Sequence, residues 1–330
     1  MSVLFTVIGE ILMDFTPLAA DPGLLRFEAR AGGSPANVAV GLARLGARVE
    51  FAGKVSTDFF GRYLVHHLEK EGVGTRFLSR SPAHSTLAFV AFDRDEPSFT
   101  FYRTGTADTQ LRSEDLPRSI DESDVLHFGS ISLLTAPTSE TVLALVDRLR
   151  GDCLLSLDPN VRPSLIGDAG AYRRTLDRAF RAADILKVST EDLRWLTPGC
   201  SPESAAAQLL VLGPVLVIVT LGRDGCYALM STGEIRVPAP RVDVADTVGA
   251  GDAFSSGLLA RLAVVGLTST RSLEQAGSAI VQEVLEYATA TAALTCTRTG
   301  ADPPRRDEVE DFLRARPGGQ GGASPRSENG

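Results

Sequence analysis

Short β-branched runs alternate with longer amphipathic segments along this chain. Residues 2–9, 49–52, 125–128, 154–158, 185–188 and 215–220 are apolar on both alternating faces, as expected of strands covered from above and below. Between them, residues 35–45, 59–71, 138–149, 169–182 and 202–210 repeat apolar positions with helical spacing. This alternation predicts an α/β fold, a doubly wound, mostly parallel sheet flanked by helices.

Two regions break the pattern. Residues 85–92 and 98–103 alternate in polarity, with Phe99 and Phe101 against Thr100 and Tyr102, and an acidic turn over 93–97 joins them. Residues 12–18 and 25–31 are similar. Such hairpins do not join a parallel core. They predict a separate four-stranded β-lid built from about 12–31 and 85–103. Residues 317–330, rich in Gly, Ser and Pro, are expected to be a disordered tail after a folded domain over 1–316.

Composition narrows the class. Of 330 residues, 44% are hydrophobic and 22% charged, enough for a large core and against general disorder. The net charge of −8 argues against a general nucleic-acid binder. Cys153, Cys200, Cys226 and Cys296 lie far apart without a CxxC pair, which fits neither zinc nor a disulfide framework and suits a reducing compartment. The N-terminus lacks a basic region and meets Glu10 and Asp14 early. The longest apolar stretch, 209–219, contains Gly213 and Pro214 and falls short of the ~20 residues that span a bilayer. The expectation is a cytoplasmic protein with no membrane or nucleic-acid partner.

Two segments carry chemistry. The first is Ala31-Gly32-Gly33-Ser34-Pro35-Ala36-Asn37, which opens a helix. Its glycines allow close backbone approach, Pro35 suits a first helical turn, and Asn37 offers a donor and an acceptor to a hydroxyl-rich ligand. An ordinary strand-to-helix turn would read the same. The second is Asp246-Thr247-Val248-Gly249-Ala250-Gly251-Asp252-Ala253-Phe254, ahead of a helix over 255–265. A helix N-terminus there makes an anion cradle. Asp252 at its rim is either a favourable N-terminal acid or a base that takes a proton from a hydroxyl while amides hold a phosphoryl group. Other phosphate motifs fail: Gly53-Lys54 precedes Val55, not Ser or Thr, and a dinucleotide GxGxxG would need glycine at Phe254. His66, His67 and His84 read as surface residues and His127 as a core histidine.

The GGSPANVAVGLARLG and DTVGAGDAF segments resemble the two signatures of the ribokinase-like (PfkB) family of carbohydrate kinases, and the resemblance runs from about Val3 to Phe312. It implies a β-lid over a sugar and transfer of the γ-phosphoryl group of MgATP to a sugar hydroxyl. Asp252 would be the base, and the Gly249, Ala250 and Gly251 amides the anion hole. Asp14, Gly32, Gly33 and Asn37 would hold the sugar. Thr220, Gly222 and Gly225 match a loop that lines the nucleotide phosphates. Ser189 and Asp192 stand where the family carries a magnesium-linked Asn-x-x-Glu, with Asp192 one methylene shorter and Glu191 beside it. Thr289 replaces the asparagine of an Ala-Asn-Ala segment by the adenine. Asp246 and the 297–301 loop resemble a site for a monovalent cation such as K⁺.

The proline form of the first signature is similar to fructokinases and 2-keto-3-deoxygluconate kinases. Residues 98–103 resemble a fructokinase lid strand, placing Phe101 and Arg103 at the sugar. Residues 158–163 and 186–189 are fructokinase-like too, with Asn160 and Arg162 near the phosphates. Arg103 could equally clamp the carboxylate of a keto acid. Phe101, where keto-acid kinases tend to carry tyrosine, tilts the reading toward fructose, ahead of the keto acid and of ribosides. From another class, a non-catalytic sugar-binding regulator is opposed by the intact GAGD. Relatives often dimerise through the lid, so a homodimer is expected.

Overall fold

The computed structural model describes residues 3–18, 24–93 and 96–315; the 317–330 tail lies outside them. A nine-stranded sheet runs β13-β12-β11-β10-β9-β8-β1-β4-β5. Its parallel strands are β1 (Leu4–Ile8), β4 (Arg48–Ser56), β5 (Gly74–Ser81), β8 (Val125–Gly129), β9 (Leu154–Asp158), β10 (Ile185–Ser189) and β11 (Leu216–Thr220). A hairpin of β12 (Cys226–Met230) and β13 (Gly233–Val237) adds antiparallel strands at one edge.

Burial on both faces explains the unbroken apolar runs. In β11, Leu216 and Ile218 face one core cluster and Val217 and Val219 the other. Helices α1 (Ser34–Arg44), α2 (Phe59–Lys70), α7 (Ala250–Val264) and α9 (Ser278–Cys296) cover the first face with Leu42, Leu68, Leu258 and Leu285. Helices α3 (Thr138–Leu149), α4 (Ala169–Ala182) and α6 (Pro202–Leu210) cover the second with Val146, Leu176 and Leu209. Three shorter helices complete the chain: α5 (Thr190–Leu196), α8 (Thr270–Glu274) and α10 (Arg306–Ala315).

The four-stranded sheet is separate, as expected. Its order is β3-β2-β6-β7, from β2 (Leu12–Pro17), β3 (Phe27–Gly32), β6 (Leu87–Asp93) and β7 (Glu96–Tyr102). The hairpin pairs Asp93 with Glu96, so its turn is tighter than the 93–97 span expected. Along one face Phe15 stacks on Phe89 at 4.6 Å, and Phe27 and Tyr102 meet Phe89 edge-on. The side chain of Phe99 lies outside the described residues.

Strand order reverses between β1 and β8. From β1 the chain builds β4 and β5 on one side, then returns to lay down β8 through β11 on the other. The crevice outside the carboxyl ends of such strands is where open α/β sheets place ligands. The chain leaves β1 for lid strand β2 through Glu10 and Ile11, and returns from β3 to α1 through Gly33.

Candidate active site

The two signature segments meet. Asn37 Nδ2 donates to Asp252 Oδ2 at 2.8 Å, and Ser34 Oγ donates to Asp252 Oδ1 at 2.7 Å. Both donors sit on the first turn of α1, which Pro35 begins after Gly33 in a left-handed conformation. Side chains on α1 and α7 interlock closely: a Cβ on Gly41 would strike the Ser256 hydroxyl.

Helix α7 starts earlier than expected, at Ala250 rather than 255, so Asp252 stands inside its first turn. Gly249 caps it at φ 77°, and a Cβ there would lie 2.6 Å from that of Ala301. Here glycine is required by both conformation and space. The Ala250 amide makes a 3.2 Å bond to the Thr247 carbonyl, while Ala253 N–H donates to Gly249 O at 2.8 Å. The N-terminal turn otherwise presents the amides of Gly251 and Asp252, with the positive end of the dipole behind them.

Asp14 lies beside this turn. A Cβ on Gly32 would collide with the Asp14 carboxylate, so Gly32 makes the space that the acid occupies. Burial, with the Asp252 charge adding, raises Asp14 to about 6, and Arg162 opposes the shift. Burial also raises Asp252, against the donors Ser34 and Asn37. Two carboxylates therefore stand close together, Asp252 buried and Asp14 half-buried, with the exposed Arg162 guanidinium at the rim.

The phosphate-side residues cluster at the strand ends. Ser189 and Thr220 pair as the last residues of β10 and β11. The 221–225 turn closes with Leu221 N–H on Gly225 O at 2.8 Å. Gly222 and Gly225 are both left-handed, and a Cβ on Gly225 would strike the Val237 carbonyl. Arg162 donates to Asn160 Oδ1 at 2.6 Å on the exposed rim, and Asn160 is left-handed at φ 39°.

Several expected residues are occupied otherwise. Thr289, expected by the adenine, is 5% exposed, donates to Leu285 O at 2.7 Å and faces Cys226 Sγ between α9 and β12. The Asp192 carboxylate accepts from Ser189 N–H and Oγ, each at 2.7 Å, and from Val161 N–H at 2.6 Å. It closes a capping box on α5. Among the described residues no cluster of acidic, Cys and His side chains forms a metal cage. Asp246 accepts from Val248 N–H at 3.0 Å and Gly300 N–H at 2.8 Å, which joins it to the 297–301 loop as the sequence implied. However, Arg30 of the lid donates to Thr299 O at 2.6 Å. A guanidinium on that carbonyl does not fit a cation shell there.

Arg103 is no solvated edge residue. It bonds Asp108 Oδ2 at 3.3 Å, Thr135 Oγ1 at 3.0 Å and Ile131 O at 2.9 Å. Phe101 packs with Leu12, Ala88 and Ile131 under the lid. Behind them Glu10, 2% exposed, accepts from Ser132, and burial raises it to about 7. His127 is a core residue bonded to Ser156 Oγ at 3.1 Å, and burial lowers it to about 3.

Sequence reasoning missed Ser34 as a partner of Asp252, and missed Glu10 and Lys187. For Lys187 the signal was present: a lysine inside the apolar run Ile185–Ser189.

Residues 4–308 match the model of the pfkB family carbohydrate kinases. The chain belongs to that family. It is 37% identical to the fructokinase of Rhizobium leguminosarum bv. trifolii over 265 residues, covering 80% of this chain and 81% of that protein. The structure of a fructokinase with bound ATP from Xylella fastidiosa superposes with a TM-score of 0.87 at 31% identity, over 94% of this chain and 98% of that one. A fructokinase double mutant from Vibrio cholerae O395, bound to fructose, ADP and potassium ion, matches with a TM-score of 0.83 at 31% identity and the same coverage. Among the described residues no helix is long and apolar enough to cross a membrane.

Proposed function

We propose that this carbohydrate kinase is an ATP-dependent fructokinase, transferring the γ-phosphoryl group of MgATP to the 6-hydroxyl of D-fructose to give D-fructose 6-phosphate and ADP. The carrying observation is the convergence of the two signatures, with Asn37 and Ser34 holding both oxygens of Asp252 on the first turn of α7. Asp252 takes the hydroxyl proton, the sugar oxygen bonds to the γ-phosphorus, and the bond to the bridging oxygen of ADP breaks. The amides that the N-terminus of α7 leaves unpaired, with Gly251 foremost, stabilise the charge that develops on the moving group, while Ala250 N–H is held by the Thr247 carbonyl. Asp14, Gly32, Gly33 and Asn37 surround the sugar, and Phe101 closes it from the lid side. Thr220, Gly222 and Gly225, with Ser189, Asn160 and Arg162, border the phosphates.

Fructose is favoured over a keto acid by one specific feature. The Arg103 guanidinium already has Asp108, Thr135 and Ile131 as partners, which leaves it poorly placed to clamp a substrate carboxylate. The apolar face of Phe15, Phe27, Phe89 and Tyr102 supports pairing of two chains through the lid. Four free thiols suit a reducing cytoplasm. The test is Asp252→Asn: turnover should fall by about 10² or more while fructose and ATP still bind. Turnover near the unsubstituted rate would remove Asp252 as the base.

A further inference from the structure

Lys187 is a charged side chain in the middle of the protein. It is 5% exposed on β10, and its ammonium donates to Asp158 Oδ2 at 2.7 Å. The other Asp158 oxygen accepts from Asn160 N–H at 3.1 Å, at the bend where β9 ends. Burial opposes the Lys187 charge, but Asp158 and Asp192 hold the ammonium protonated, above its usual range. Buried ion pairs are costly and seldom a source of stability, so this one calls for another explanation. Its position supplies one. A Cβ on Gly251 would sit 3.0 Å from Lys187 Nζ. The ammonium thus rests against the first turn of α7, and the glycine is what admits it.

We propose that Lys187 is a positioning residue for phosphoryl transfer: anchored by Asp158, its ammonium supports the Gly251 turn and balances the negative charge around Asp252. This rests on Asp252 being the base. The charges facing Asp252 are Asp14 from the lid, Asp158 from β9 and Lys187 from β10, with Arg162 opposite Asp14. Of these, Lys187 is the cation in contact with the turn that carries the base. Without it, Asp252 would face two acids, and the amide cradle would lose its support from below.

The experiment compares Lys187→Met, the double variant Lys187→Met with Asp158→Asn, and Asp252→Asn. Lys187→Met leaves a buried carboxylate unpaired and should melt earlier; the double variant removes both charges and keeps a foldable core. In the double variant kcat should fall by about tenfold or more, with the KM values for fructose and ATP within about threefold, because support for the turn acts on the transferred group. In Lys187→Met, if it folds, the acid limb of kcat/KM should also move up by about half a pH unit or more, since Asp252 loses a nearby cation. The double variant, which loses one charge of each sign, should keep the limb near its original position. A folded double variant with the original kcat would overturn the proposal, as would a folded Lys187→Met with an unmoved limb. If Asp252→Asn stays active, the failure belongs to the reading of the base and not to Lys187.

Discussion

Asp252 and Asp14 repel one another at the candidate site, and this sets the acid side of the pH profile. Burial raises both. A base works only when deprotonated, so kcat/KM should fall on the acid side at a pH above the ordinary aspartate range, because burial raises Asp252. Because the two acids are coupled, they titrate as a pair. Asp14→Asn removes one negative charge, so the remaining acid limb should shift to lower pH while the KM for fructose rises. A kcat/KM profile between about pH 5 and 9 checks this; an unmoved limb would show that Asp14 and Asp252 do not communicate. Glu10 gives a stability counterpart. Its folded value, about 7, lies above the ordinary 4.5. Its contribution is therefore fully present below about pH 4.5 and is lost as pH rises through about 7. That loss is worth roughly 3 kcal/mol at neutral pH. Glu10→Gln should flatten the decline of Tm between about pH 5 and 8, read by thermal denaturation. An equally steep decline in the variant would place the titration elsewhere.

The start of α7 is the element on which the site depends. Gly249 combines a left-handed φ of 77° with a contact that leaves no room for a methyl group. Gly249→Ala should cost about 1–3 kcal/mol in stability and reduce kcat by more than tenfold, because it displaces the amide cradle. A thermal melt with steady-state kinetics checks both; original values for both would mean the turn tolerates rearrangement. This element was largely legible in the sequence, since Gly-x-Gly-Asp before an apolar helix has few other meanings. Its true start was not, because the glycine-rich motif reads as loop although Ala250 already begins the helix. The parallel strands were legible because burial on both faces leaves unbroken apolar runs. Strand β5, with Arg76 and Arg80 at an edge, lacks that signature. Helix α9 hid for the opposite reason: in its middle Tyr287, Ala288, Thr289, Ala290 and Thr291 are buried one after another, so polar and apolar positions there lose their helical spacing. The burial of Thr289 against Cys226 was not legible, because position in a motif does not reveal which way a helix turns its side chains. Ser34 read only as the opening of a turn, and its bond to Asp252 spans the length of the chain.

For the whole molecule, the lid has two roles in the proposed reading, covering the sugar and pairing two chains. It is tied to the core through Asp108, which accepts from Thr86, Thr106 and Arg103, and through Asp58, which accepts from Ser85. Its outer face carries Phe27 and Tyr102, 37% and 63% exposed. That area is better hidden against a second copy than left in water. Sedimentation should give twice the chain mass of 35.0 kDa. Tyr102→Glu should shift the equilibrium toward the single chain, since a charge within an apolar contact is costly. A single-chain mass for the unsubstituted protein would exclude lid pairing.

The central claim is that Asp252 activates a fructose hydroxyl on this carbohydrate-kinase scaffold. Its most direct test is ADP release from MgATP at neutral pH, with D-fructose, 2-keto-3-deoxygluconate and a riboside offered separately to the protein and to Asp252→Asn. The account expects clear preference for fructose and a fall of about 10² or more in the variant, with binding retained. Preference for the keto acid, or a variant as active as the original, would contradict it.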